Sequence, residues 1–195
     1  MKRDLTINEF NQLIEILKSR KDPVHSYWAS AYFTFQYHII GRIDDVAHFE
    51  KKNLKTHIDF DFALQVEVRW SKNIREERQV ARQILLACNN PSYCNFLSLA
   101  IYLEVFLKIG DVKSSKYLFG GISISADNTK NRAASIFMSI MNCNEFKIDE
   151  NRGDDLGTHS IRKYATTRAT ASGCTLDEVE VCGRWKNNGN RTCTR

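Results

Sequence analysis

Residues 54–70 read LKTHIDFDFALQVEVRW, and here the spacing of apolar side chains changes from helical to two. Leu54, Thr56, Ile58 and Phe60 alternate with Lys55, His57 and Asp59; Leu64, Val66, Val68 and Trp70 alternate with Gln65, Glu67 and Arg69. Successive side chains of a strand point to opposite faces, so two such runs in a row predict a pair of half-buried antiparallel strands. Ser71-Lys72-Asn73 predicts a turn into a shorter third strand around Glu76–Ala81.

Helical patterns surround this sheet. Thr6 and Glu9 have the spacing of a capping box, in which a hydroxyl and a carboxylate satisfy free backbone N–H groups reciprocally, and Phe10, Leu13, Ile14 and Leu17 follow at helical spacing, predicting a first helix to about Arg20. Asp22-Pro23 predicts the start of a second helix, rich in aromatic side chains (Trp28, Tyr32, Phe33, Phe35) and ending near Gly41. After the sheet, Asn90-Pro91 opens an apolar helix that Gly110 closes, and a further helix is expected at about Thr129–Met141. Thr158–Ser172 reads as a helix ending at Gly173, and Thr175 with Glu178 forms a second capping box that opens the last one. The expected fold class is therefore mainly α with a small antiparallel three-stranded β-sheet, an α+β arrangement in a single domain over residues 1–195.

Composition narrows the function. Apolar residues make up 43 % of the chain, enough for a real core, and two prolines and nine glycines argue against a long linker. The net charge of +5 permits nucleic-acid binding without demanding it. The six cysteines form no C-x-x-C pair and have no histidine at zinc-ligand spacing, so they read as free thiols in a reducing compartment. No apolar signal segment follows Met1, and Tyr93–Ile109 carries Asn95, Ser98, Glu104 and Lys108, which suits a buried helix better than a membrane span. No clustered Asp/Glu/His set suggests a metal-dependent nuclease, and no cofactor or metal is expected.

The informative motif is Gly157-Thr158-His159-Ser160-Ile161-Arg162. His159 and Arg162, three apart, share one face at the start of a helix, where the dipole and free N–H groups favour an anion. Upstream stands Gly41-Arg42 with Asp45 three residues on; Lys72 lies at the predicted hairpin tip; Gly183-Arg184-Trp185 follows the last capped helix.

The order Arg42, Lys72, His159-x-x-Arg162, Trp185 resembles the catalytic domain of the tyrosine recombinases, the phage-integrase family of DNA strand exchangers. The Gly-Arg-Trp form is similar to eukaryotic mobile-element recombinases of the Crypton kind. The resemblance spans nearly the whole chain and rests on the five matches in order, none specific alone. It implies metal-independent transesterification at a scissile phosphate during DNA recombination or DNA integration. By that resemblance Arg42, Arg162, His159 and Trp185 bind or donate to the phosphate, Lys72 is the general acid for the leaving 5′ hydroxyl, and Asp45 orients Arg42. The bland rivals are a surface ion pair for Arg42 and Asp45, a solvated turn for Lys72 and a core anchor for Trp185.

Arg75, Lys163, Arg168 and Arg184 are the expected additional DNA contacts. Over residues 159–195 seven Lys/Arg stand against three acids, which places most of the positive excess in the segment expected to face DNA. The resemblance also implies double-stranded DNA as partner, a homo-oligomer (a tetramer on DNA), no membrane, and a nuclear location in a eukaryote or a cytoplasmic one otherwise. The family's nucleophilic tyrosine, expected shortly after Trp185, has no counterpart in Lys186–Arg195, and Tyr164 lies on the His159 helix, too close to the motif to replace it. The N-terminal domain that completes the family's clamp on DNA is likewise not expected in this sequence. A chain inactive in cleavage is thus expected, lacking its tyrosine through truncation or decay; the alternatives are a non-catalytic DNA binder derived from a recombinase, and a helical protein-interaction domain.

Overall fold

The computed structural model describes residues 2–70, 82–109, 115–120, 125–149 and 155–185. Among them are seven α-helices and one three-stranded antiparallel sheet. The capping box starts α1 (Ile7–Ser19): the Thr6 hydroxyl accepts from the Glu9 N–H at 3.1 Å and the Glu9 carboxylate accepts from the Thr6 N–H at 2.8 Å. Its apolar stripe, Phe10, Leu13, Ile14 and Leu17, is buried against the aromatic second helix. That second helix differs from the single α-helix expected. Val24–Ala29 winds as a π-helix before α2 proper, Ser30–His38. Periodicity does not distinguish the two, because both bury the same large side chains: Trp28, Tyr32, Phe33 and Phe35 are fully inside.

The end of α2 is built on an unusual residue. Ile40 N–H donates to Tyr37 and Gly41 N–H to Gln36, the paired bonds of a Schellman turn, and Ile40 sits at its left-handed position with φ 50°. That position favours glycine, and a β-branched side chain there costs about 1–2 kcal/mol. Ile40 compensates by being only 8 % exposed, packed with Ala165 and Val179. Gly41 follows in a tight place, where a Cβ would lie 2.8 Å from the Ile39 side chain. The short α3 (Ile43–Ala47) starts immediately, its Ile43 carbonyl accepting from the buried Tyr32 hydroxyl at 2.5 Å.

In the sheet, β1 (Leu54–Thr56), β2 (Ala63–Glu67) and β3 (Arg82–Leu86) pair in that order, with Leu54 opposite Val66 and Gln65 opposite Ile84. β1 is shorter than the alternation through Phe60 predicts. The chain turns between His57 and Ala63, whose mutual bond (His57 N–H to Ala63 O, 3.0 Å) closes the hairpin, and this leaves Ile58 94 % exposed. The strand expected around Glu76–Ala81 lies outside the described residues; β3, with Gln83 and Leu85 turned inward, follows directly after.

The apolar helix is α4 (Asn95–Ile109), burying Leu99, Tyr102 and Phe106, and α5 (Ala126–Met141) covers the expected helix from a start three residues earlier, capped by Ser125. Among the described residues no helix is long and apolar enough to cross a membrane. Finally α6 (His159–Ala171) and α7 (Leu176–Gly183) appear where the sequence places them, α7 with its Thr175–Glu178 capping box and the turn between them relaxed by Gly173 at φ 97°.

Candidate functional site

Three separate segments meet around one carboxylate. Asp45, in the first turn of α3, is fully buried, and its Oδ2 accepts from the Arg42 backbone N–H at 2.9 Å. The same oxygen receives Arg162 Nη1 at 3.4 Å and Arg184 Nη2 at 2.9 Å. Arg162 comes from the first turn of α6, a helix whose start is fastened to α2 by Gln36, which donates to the Thr158 carbonyl at 3.1 Å. A second amino group of Arg162 donates to the Gly183 carbonyl, and its guanidinium lies 4.1 Å from the centre of the Trp185 ring. Arg162, only 4 % exposed, is thus covered on one face by the ring and hydrogen-bonded at its edge to the carboxylate.

The end of α7 repeats the turn at the end of α2. Arg184 N–H donates to Val181 and Trp185 N–H to Glu180, and Arg184 holds the left-handed position with φ 58°. This reversal swings the Arg184 side chain inward to Asp45 and lays Trp185 back over Gly183, whose missing Cβ would otherwise sit 1.6 Å from the ring. The carbonyls left over at the two helix ends share donors: Gln83 of β3 gives its side-chain amide N–H groups to Cys182 O (2.9 Å) and Ile39 O (3.5 Å), and Arg184 Nη1 donates to the same two atoms at 2.7 and 3.5 Å.

Arg42, Asp45, His159, Arg162, Arg184 and Trp185 are therefore gathered at one locus from sequence positions up to 143 apart. His159 stands at its rim, exposed. Burial pushes its pKa below the usual histidine value, and the positive charges of Arg162, Arg42 and Lys163 push it further down against the opposing pull of Asp45. Lys163 is half-buried and donates to the Lys2 carbonyl. Arg168 lies about 120° further around α6 from Arg162 and interacts with the Tyr37 hydroxyl, away from Asp45. Lys72 and Arg75 lie outside the described residues. Tyr164 packs between Phe10 and Tyr37, and burial pushes its hydroxyl pKa up to about 12, so it remains a neutral core residue at physiological pH. Gln83 was not singled out in the sequence, where a glutamine in a strand carries no signal of this kind.

Chemically, this locus is cationic with its carboxylate locked inside. Among the described residues no group of three or more His, Cys, Asp or Glu side chains is placed to hold a metal. An anion arriving at the rim would offset the part of the depression at His159 that the cations add to burial. We expect the His159 imidazole to titrate below its ordinary 6.5 in anion-free buffer, so that protonation weakens the fold as pH falls through that value, and to move upward with saturating phosphate. Following the ring protons by NMR checks this; a titration unmoved by phosphate would remove the case for an anion at His159. The sequence matches no model of a known protein family and no curated protein.

Proposed function

We propose that the chain is a tyrosine-recombinase-like catalytic domain whose cationic locus holds a DNA phosphodiester for strand exchange. One observation carries this reading: the arginine after the α2 turn, the His-x-x-Arg of α6 and the tryptophan after α7 converge around Asp45. The locus joins the guanidinium groups of Arg162 and Arg184, the first stacked by an indole, to an exposed imidazole whose pKa is held below the usual histidine value. Such donors suit the charge that develops on a phosphate oxygen during transesterification. Asp45 fixes their orientation from behind, through the Arg42 backbone and both other arginines, without facing the ligand. Trp185 covers Arg162, so direct contact between that guanidinium and a phosphate requires the ring to slide aside.

The attacking hydroxyl is the part the locus does not supply. Lys186–Arg195 contains no tyrosine, and Tyr164 is committed to the core. Phosphate binding without cleavage is therefore the second reading, and Tyr164's burial is what favours it for the chain as it stands.

The test is fluorescence anisotropy with duplex DNA across a salt series, with Arg162→Lys beside the unaltered protein. Binding should weaken steeply with salt as counterions are released. Arg162→Lys, which keeps the charge but loses the planar fork, should lose about fivefold in affinity, the equivalent of roughly 1 kcal/mol. Absence of binding at low salt, or binding indifferent to Arg162→Lys in a folded protein, would defeat the reading. A form extended past Arg195 with a tyrosine then separates enzyme from binder: a covalent 3′-phosphotyrosyl adduct on a suicide duplex marks the enzyme.

A further inference from the structure

Away from the cationic locus, two cysteines face each other across the connection from β3 to α4. The Cys88 backbone N–H donates to the Cys94 Sγ at 3.4 Å, and the Cys88 Sγ donates in turn to the Asn90 carbonyl at 3.3 Å. Cys94 immediately precedes α4, its carbonyl accepting the first helical bond from Ser98 at 2.9 Å. The loop between the two cysteines is pinned by the Lys18 ammonium, which donates to Pro91 O (3.2 Å) and Ser92 O (2.5 Å) and lies within electrostatic reach of Cys94. The other described thiols, Cys143, Cys174 and Cys182, have no such neighbour among the described residues.

We propose that Cys88 and Cys94 form a peroxide-reactive dithiol that closes to an intramolecular disulfide. Cys94 is the reacting sulfur. Hydrogen bonds to its sulfur from the backbone N–H groups of Cys88, Leu97 and Phe96 and from the Cys88 thiol outweigh burial and hold its pKa below the usual thiol value, while burial and the neighbouring sulfur raise that of Cys88. Of the two sulfurs Cys94 is thus the more readily deprotonated, and the thiolate is the form that reacts with peroxide. At 5 % exposure Cys94 is closed to bulky disulfides, so the oxidant has to be a small one.

In the first step the Cys94 thiolate attacks one oxygen of hydrogen peroxide; the O–O bond breaks, Cys94 becomes a sulfenic acid, and the departing hydroxide takes up a proton as water. In the second, the Cys88 sulfur attacks the Cys94 sulfur, the S–OH bond breaks, and the hydroxide leaves with the Cys88 proton as a second water. Two thiols and one peroxide give one disulfide and two waters. The product ties the end of β3 to the start of α4. Nothing in this step depends on DNA binding.

Cys88 and Cys94 fall on a single tryptic peptide, Gln83–Lys108, that contains no other cysteine. The folded full chain is titrated with hydrogen peroxide, alkylated, digested and weighed. The expected result is that this peptide loses two hydrogens and both alkylation sites together, at least about tenfold faster than exposed Cys174 is oxidised. Cys88→Ser should leave Cys94 as a sulfenic acid that dimedone traps when the chain is unfolded in its presence. Oxidation of the pair no faster than Cys174, or oxidised peptide that keeps both hydrogens, would overturn the proposal, and that reading on the unaltered chain stands even if the variant fails to fold.

Discussion

Replacing Asp45 by alanine is expected to remove about 3–5 kcal/mol of folding stability, the cost of leaving buried charges without their partner. Asp45 is fully buried, and the side chains of Arg162 and Arg184 that converge on it are 5 % and 9 % exposed. Water cannot reach these guanidinium groups readily once the carboxylate is gone, and the Arg42 backbone N–H loses its acceptor as well. In a chain of this size the midpoint of thermal unfolding should fall by about 6–20 °C. The double variant Asp45→Ala with Arg184→Leu identifies the cause. If the penalty is unpaired charge, removing one cation restores part of it, a coupling of about 1–2 kcal/mol in a double-mutant cycle. Additive losses would instead make Asp45 a packing residue. Urea unfolding of the four proteins measures both quantities.

The second large effect is expected at Gly183. A methyl group there would lie 1.6 Å from one carbon of the Trp185 ring and 2.1 Å from the next, distances no packed pair of atoms tolerates. Either the ring leaves Arg162 or the last turn of α7 shifts, and the Gly183 carbonyl that accepts from Arg162 shifts with it. Forced overpacking of this kind costs about 1–3 kcal/mol. Gly183→Ala should therefore unfold at lower urea, and Trp185→Leu in the same background should recover much of the loss, because it removes the ring that the methyl group strikes. A fully stable Gly183→Ala would mean that the ring and the helix end are not held together as described.

Much of this was legible in the sequence where chemistry is local. The capping boxes at Thr6 and Thr175 name their own partners three residues away, so the starts of α1 and α7 follow directly from the text of the chain. The sheet also declares itself, because alternation is a local pattern. Its limits do not: Ile58 and Phe60 keep the alternation going while the backbone has already turned, since exposure of apolar side chains at a hairpin tip leaves no mark in the spacing. The π-helical opening of the second helix was illegible for the same reason, its buried side chains being those an α-helix would bury. At the site, motif order pointed to Arg42, His159, Arg162 and Trp185, but only tertiary structure shows that Arg184 turns inward to Asp45. One backbone angle decides that, and a left-handed arginine reads in sequence like any other.

Gln83 gives the locus one further property. Its single side-chain nitrogen holds both the carbonyl that ends α2 and the carbonyl that ends α7. The strand that carries it is the last of the sheet and pairs residue for residue with β2. The two helix ends that precede Arg42 and Trp185 are thus tied to one strand of the sheet through one amide group.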